Sequence, residues 1–276
     1  MSITSYSNSK AQKHAKVRSH RPGNPISETV IHLVEKKLIE EQWSPQQISE
    51  TFKHKGIAQI SHETIYQHIY RDKRRKGTLH IHLRHKCHSY RKRGSQRERR
   101  GRLKDQVSID ERPKIVEQRT RIGDWEMDTV IGKPGGPVLV TMVERKSRYA
   151  LIALSPSKEA VQVGVAILKA MLPHKDKVLT KTYDNGKEFA HHVVLAELLD
   201  AKAYFAHPYH SWERGLNENT NGLIRQYFPK KSDFAPLTPE EVQAVQDKLN
   251  SRPRKCLDYQ TPNDIFFTPT PIALAA

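Results

Sequence analysis

The sequence predicts an α/β domain preceded by a small all-α domain, and three observations carry that expectation. From about residue 120 onward, short alternating apolar runs come first as a set of three and then exchange with amphipathic helical segments. Residues 27–72 instead carry three short segments with apolar residues at helical spacing. Between the two regions lies a block of like charge that repels itself: residues 71–104 hold fifteen Lys or Arg against Asp72 and Glu98, so +13 of the net +17 sits there.

Length and composition bound the rest. A chain of 276 residues divides on ordinary domain sizes into two unequal units. No apolar run is long enough to cross a bilayer, which predicts no membrane role. Residues 1–26 read as a polar, basic lead-in without the apolar block of a secretory signal. Two cysteines, Cys87 and Cys256, make no disulfide framework, and the reading is a cytoplasmic protein. Clustered Lys and Arg are rewarded by phosphate backbones through counterion release, so nucleic acid rather than a small molecule is the expected partner.

Residues 27–72 read as three helices. Ser27 precedes a segment in which Val30, Ile31, Val34, Leu38 and Ile39 share helical spacing, and Ser44-Pro45-Gln46-Gln47 is a capping-box start. Ser61 opens SHETIYQHIYRDK, with Ile65, Ile69 and Tyr66 inward and His62, Thr64, Gln67, His68 and Arg71 outward. Any three-helix bundle has this periodicity. The basic block that follows makes a helix-turn-helix the better reading, with those outward residues in the major groove. Arg74, Arg75, Lys76, Arg91, Lys92 and Arg93, in a basic linker over 73–118, are expected on phosphates. HIHLRHKCH gathers His80, His82, His85, Cys87 and His88, but no second ligand pair follows, so it reads as part of that arm rather than as a zinc site.

The α/β domain is expected over 119–232. RIGDWEMDTVIG, PVLVTMVE and RYALIALS read as three strands, SKEAVQVGVAILKAML as a helix, KVLTKTYD and AKAYFA as two further strands, and GLNENTNGLIRQYF as a helix. Thr238-Pro239-Glu240-Glu241 caps a last helix, in a segment 233–276 expected to pack on the core. Trp125 and Trp212 are read as core residues.

Three carboxylates carry the chemistry. Asp124, Glu126 and Asp128 point to one face of the first strand, and the apolar run around Asp128 makes a free carboxylate there costly. Asp184 ends the fourth strand, and Asn185-Gly186 turn the chain away, although Asp-Asn-Gly is also ordinary turn chemistry. Glu218 lies on the following helix, sharing a face with Asn221 and Arg225. Two aspartates from neighbouring strands and a glutamate from a helix suit two Mg²⁺ (or Mn²⁺) ions, as in-line phosphoryl displacement requires. Lys187 and Arg225 are candidate phosphate contacts beside them.

GDWEMDTVIG, DNGKEF and SWERGLNENTNGLIRQYFPK resemble the acidic blocks of the IS-thirty family of bacterial insertion-sequence transposases. The likeness spans roughly residues 28–268. It implies a ribonuclease H-like integrase core, a catalytic and metal-binding triad of Asp128, Asp184 and Glu218 with Asn217 and Asn221 in support, a homo-multimer on double-stranded DNA, and a bacterial, nucleoid-associated setting. Glu213, in SWERG, competes with Glu218 for the third acid; the E-x-x-N pattern favours Glu218. The family's first helix-turn-helix has no counterpart in residues 1–26, and His210 stands where a small residue is expected. The activity so implied is metal-dependent cleavage at element ends and strand transfer from the freed 3′-hydroxyl. The rival class is a DNA-binding copy without productive catalysis that regulates transposition.

Overall fold

The computed structural model describes residues 26–84, 103–208 and 210–268. Arg91, Lys92, Arg93, His85, Cys87, His88 and nearly all of the lead-in lie outside the described residues. Three helices come first. α1 (Glu28–Ile39) starts where the Ser27 hydroxyl accepts the Val30 N–H, α2 (Pro45–His54) carries both halves of the capping box from Ser44 and Gln47, and α3 (His62–Arg74) is capped by Ser61. Val34, Leu38, Trp43, Ile48, Phe52, Ile65 and Ile69 close one small core, while Ile39, at the last turn of α1, is exposed rather than inward.

The segment expected as the end of a linker does not behave as one. Within residues 103–118, Val107 O accepts from Phe205 N at 2.9 Å, Arg112 donates to Thr182 Oγ1 at 2.8 Å, and α4 (Lys114–Gln118) buries Val116 completely. These residues line the sheet edge. Their apolar and hydrogen-bonding partners sit in the α/β domain, and the sequence alone places no partner for them.

The sheet is built from β1 (Asp124–Ile131), β2 (Val138–Glu144), β3 (Ala150–Ser155), β4 (Thr180–Tyr183) and β5 (Lys202–Phe205), in the order β3-β2-β1-β4-β5. The first three form an antiparallel meander, and β4 and β5 join β1 in parallel through α5 (Ala160–Met171) and α6 (His192–Leu199). α7 (Gly215–Tyr227), α8 (Pro239–Asn250) and α9 (Pro262–Phe267) complete the chain. Helices cover both faces, so β2 is buried along all seven residues, Thr141 and Glu144 included. Trp125, Met127 and Met142 meet Val163 and Ile167 of α5 and Leu195 of α6 on one face. Val130, Leu139 and Ile152 meet Leu223 and Ile224 of α7 and Val242 and Leu249 of α8 on the other. This is the ribonuclease H-like arrangement.

Two amides of α8 blunt the exposed edge of β3. Gln246 Oε1 accepts from Ile152 N and Asn250 exchanges two bonds with Ala150, each at 2.8 Å, so ladder groups that would otherwise template another strand are satisfied. The helical unit touches the α/β domain through Gln47, which donates to Pro253 O at 2.6 Å, and Gln226, which donates to His82 O at 3.3 Å.

Candidate active site

Strand β1 presents its three acids on one face, and the structure gives them different work. Asp124 is fully buried, with two bonds from Arg121 at 3.0 Å each and one from Thr180 at 2.7 Å. Glu126, also fully buried, accepts from Arg145 at 2.6 Å and from Asn217 N at 3.2 Å. Both are committed to holding the fold. Asp128 is the one that reaches solvent, its side chain 23% exposed.

The parallel register of β1 and β4 pairs Glu126 with Thr182, and continuing it two residues sets Asp128 beside Asp184. Arg214 spans the two carboxylates, 3.7 Å from Asp128 and 3.6 Å from Asp184. Asn221 donates to Asp128 Oδ2 at 2.8 Å while its carbonyl takes the Thr141 hydroxyl at 3.1 Å, which fixes the amide's orientation. Burial pushes the Asp128 carboxyl above its ordinary range; the neighbouring Asp184 and Glu188 push the same way, against Arg214 and the Thr129 N–H.

Glu218 sits exposed on α7, four residues after Arg214 and three before Asn221, between two side chains that both touch the acid pair. Glu213 is turned elsewhere: it accepts from His207 N, and its Oε1 lies 2.9 Å from His207 Nδ1 and 3.1 Å from His210 Nδ1. Burial alone would raise its carboxyl, but these bonds outweigh it and hold the group low. Glu218 lies on the helix whose Asn221 bonds Asp128, whereas Glu213 precedes that helix in a short 3₁₀ segment.

Asn185 and Gly186 form the turn after Asp184. Asn185 accepts from Gln106 and donates to Ala206 O at 2.7 Å, so it pins the turn. Gly186 has φ −72°, open to any residue; a Cβ there would lie 2.4 Å from Glu188 Oε2 and 2.8 Å from Asp184 Oδ1, so a larger residue would push those carboxylates aside. Trp125 is in the core as expected, whereas Trp212 is 70% exposed: it follows a turn at the start of a short 3₁₀ segment, where no element covers it.

Two features escaped the sequence. Glu188, in DNGKEF, is 6% exposed and bonds Thr129 Oγ1 at 3.1 Å and Lys158 Nζ at 3.0 Å, tying the residue after Asp128 to the turn after Asp184. Its only signal was its place inside an acidic block. The second is a cleft of about 260 Å³ lined by Arg119, Arg148, Arg254 and Trp212 together with one side of α7, with no carboxylate in its wall. Residues 100 positions apart in sequence give no periodic pattern.

The DNA-contact candidates divide. Arg71, Arg74, Arg75 and Lys76 are exposed, as are His62, Thr64, Gln67 and Lys187. Thr64 Oγ1 lies 2.8 Å from the Ser61 cap hydroxyl and Gln67 bonds Glu63 within α3. His68 is half-buried against Glu35 at 2.7 Å, and Arg225 spends its guanidinium on the carbonyls of Ile131, Phe228 and Pro229, which makes it a latch between β1 and α7 rather than a free phosphate contact.

Asp128 and Asp184 thus stand together on two parallel neighbours of a ribonuclease H-like sheet, with α7 packed on β1 and β2 beside them. The chain is 48% identical over 230 residues to the transposase for insertion sequence element IS4351 of Bacteroides fragilis, covering 83% of this chain and 71% of that one. It is 35% identical over 259 residues to the transposase for IS1086 of Cupriavidus metallidurans, covering 90% and 75%. Against the transposase InsI for IS30A of Escherichia coli it is 38% identical over 252 residues, 87% of this chain and 64% of the relative, so it spans less than two thirds of that protein's length. The chain belongs to the IS30 (IS-thirty) family of transposases. No family model matches it. Among solved structures it is similar to the catalytic core domain of BIV integrase, at 22% identity and a TM-score of 0.41 over 53% of this chain and 94% of that one. No helix among the described residues is long and apolar enough to cross a membrane.

Proposed function

We propose that this chain is a DNA transposase that cleaves phosphodiester bonds at the ends of its element and joins the freed 3′-hydroxyl to target DNA, with Asp128, Asp184 and Glu218 as the residues that hold two Mg²⁺ (or Mn²⁺) ions. The observation that carries the reading is the Asp128–Asp184 pair, brought together on neighbouring strands and bridged by Arg214 at 3.7 and 3.6 Å. The donor set fits the ions: carboxylate oxygens are what Mg²⁺ takes, and the pressure of Asp184 on the Asp128 carboxyl is the repulsion a cation relieves. Bound there, the ions would activate the attacking oxygen and stabilise the leaving one.

The chain's own groups do the positioning. Asn221 orients the Asp128 carboxylate, and Arg214 sits where the charge of a scissile phosphate would be met. Glu188 keeps the two acid-bearing segments in register through Thr129 and Lys158. Double-stranded DNA lies along the exposed basic end of α3, and the cleft of Arg119, Arg148, Arg254 and Trp212 offers guanidinium and aromatic surface to a nucleotide at the start of α7. Acting on two ends at once calls for a homo-multimer.

The test is cutting of labelled duplex carrying the inverted repeats that flank the reading frame, with Mg²⁺ or Mn²⁺. Metal-dependent cleavage at the repeat ends is expected, and Glu218→Gln abolishes it; cleavage by that variant at the wild-type rate would remove Glu218 from the triad. A second prediction concerns binding. Replacing Arg71, Arg74, Arg75 and Lys76 with Gln weakens binding to every sequence alike and lowers the slope of log affinity against log salt by about 3 to 4, as loss of four phosphate contacts requires. An unchanged slope would take this end of α3 off the DNA.

A further inference from the structure

We propose that His207, His210 and Glu213 form a binding site for a zinc-class divalent cation, separate from the catalytic acids, which fixes the connection between β5 and α7. The three follow one another as His-x-x-His-x-x-Glu directly after β5. Among the described residues they are the group of His, Cys, Asp or Glu whose ligand atoms converge, all within 4.8 Å of one another. Glu213 Oε1 lies 2.9 Å from His207 Nδ1 and 3.1 Å from His210 Nδ1. Ligands about 2.0–2.1 Å from a tetrahedral ion stand roughly 3.3 Å apart, so small side-chain movements admit one.

The surroundings are those of a metal-binding histidine. His207 Nε2 lies 2.9 Å from Asp110 Oδ2, and Asp110 is itself held by the Ser108 hydroxyl at 2.8 Å. A carboxylate on the far ring nitrogen orients a ligating imidazole and leaves the near nitrogen's lone pair for the ion. Both nitrogens of His207 thus face carboxylate oxygens, and a neutral ring carries one proton only. A cation between Nδ1 and Oε1 resolves that conflict without charging the ring. Glu213 is preset as well, since His207 N donates to its second oxygen at 2.9 Å. Two imidazoles and one carboxylate, with the fourth position open to water, select zinc-like ions over Mg²⁺. Arg214, next in sequence, bridges Asp128 and Asp184, so the ion would anchor the chain just before the residue that spans the catalytic pair.

The experiment titrates the full chain, freed of metal by a chelator, with Zn²⁺ against a chromophoric competitor, and with Co²⁺ for its visible absorption. One equivalent is expected to bind, with an intense four-coordinate Co²⁺ spectrum. His207→Ala, His210→Ala and Glu213→Gln each weaken binding at least tenfold, and Asp110→Asn by about tenfold through its hold on His207. Cys87→Ser with His88→Ala leaves binding unchanged. Absence of a stoichiometric site, binding that survives Glu213→Gln and His210→Ala, or binding lost with Cys87 and His88 would each overturn the proposal. Glu213→Gln keeps the side chain's size and its acceptor for His207 N, so it decides the matter if a histidine variant fails to fold. DNA cleavage does not enter the readout, so the result stands apart from the transposase reading.

Discussion

Asp128→Asn is expected to reduce metal-dependent strand cleavage by on the order of a thousandfold or more while leaving the folded state at least as stable as before. The two halves of that result have one cause. Asp128 is held largely buried beside Asp184 and Glu188, and this environment pushes its carboxyl upward, so the native chain tolerates a charge that burial disfavours. An amide keeps the shape and removes the charge. Asn221 can still pair with the side-chain oxygen and Arg214 retains Asp184, so packing persists while the repulsion falls. Groups kept for chemistry at a cost in stability behave this way. Cleavage measured beside thermal unfolding separates the outcomes: activity within tenfold of wild type would remove Asp128 from the chemistry, and a fall in melting temperature of several degrees would make it a structural acid like Asp124.

Much of the fold was legible because local signals agreed with the global one. The capping boxes at Ser44 and Thr238 mark helix starts that the structure reproduces at Pro45 and Pro239, and the short apolar runs around Met127, Val140 and Ile152 are the meander. Asp184 was visible because a strand stops at it. What stayed hidden depends on long-range partners. The strand pattern does not separate Asp124 and Glu126 from Asp128; that distinction is made by Thr180 and Arg145, from β4 and from the turn after β2. Trp212 was misread because a large apolar residue is usually covered, and no local pattern says that it is not. The packing of residues 103–118 was missed because its partners, Phe205 and Thr182, lie about 70 residues or more away.

The second large effect falls on stability and on the helix that carries Glu218. Arg145 is 1% exposed and joins three parts of the chain: it donates to Glu126 at 2.6 Å, to Glu117 at 3.0 Å and to Val116 O at 3.2 Å. Glu126 in turn accepts Asn217 N, at the first turn of α7, at 3.2 Å. Arg145→Met therefore leaves a buried carboxylate without its cation, a change that costs about 3–5 kcal/mol. The pH dependence fixes the mechanism. Burial already raises the Glu126 carboxyl, and Arg145 is the largest influence holding it down. Without that guanidinium the folded chain keeps a proton that the unfolded chain releases above its ordinary carboxylate pKa, so the folded state binds more protons and its stability falls as pH rises. The deficit of Arg145→Met relative to wild type should thus be smallest near about pH 4 and grow toward neutrality. Adding Glu126→Gln should recover part of the loss and flatten that dependence. A deficit equal at all pH values would mean that Arg145 stabilises through packing of its stem, and that the charge of Glu126 has no part in seating α7.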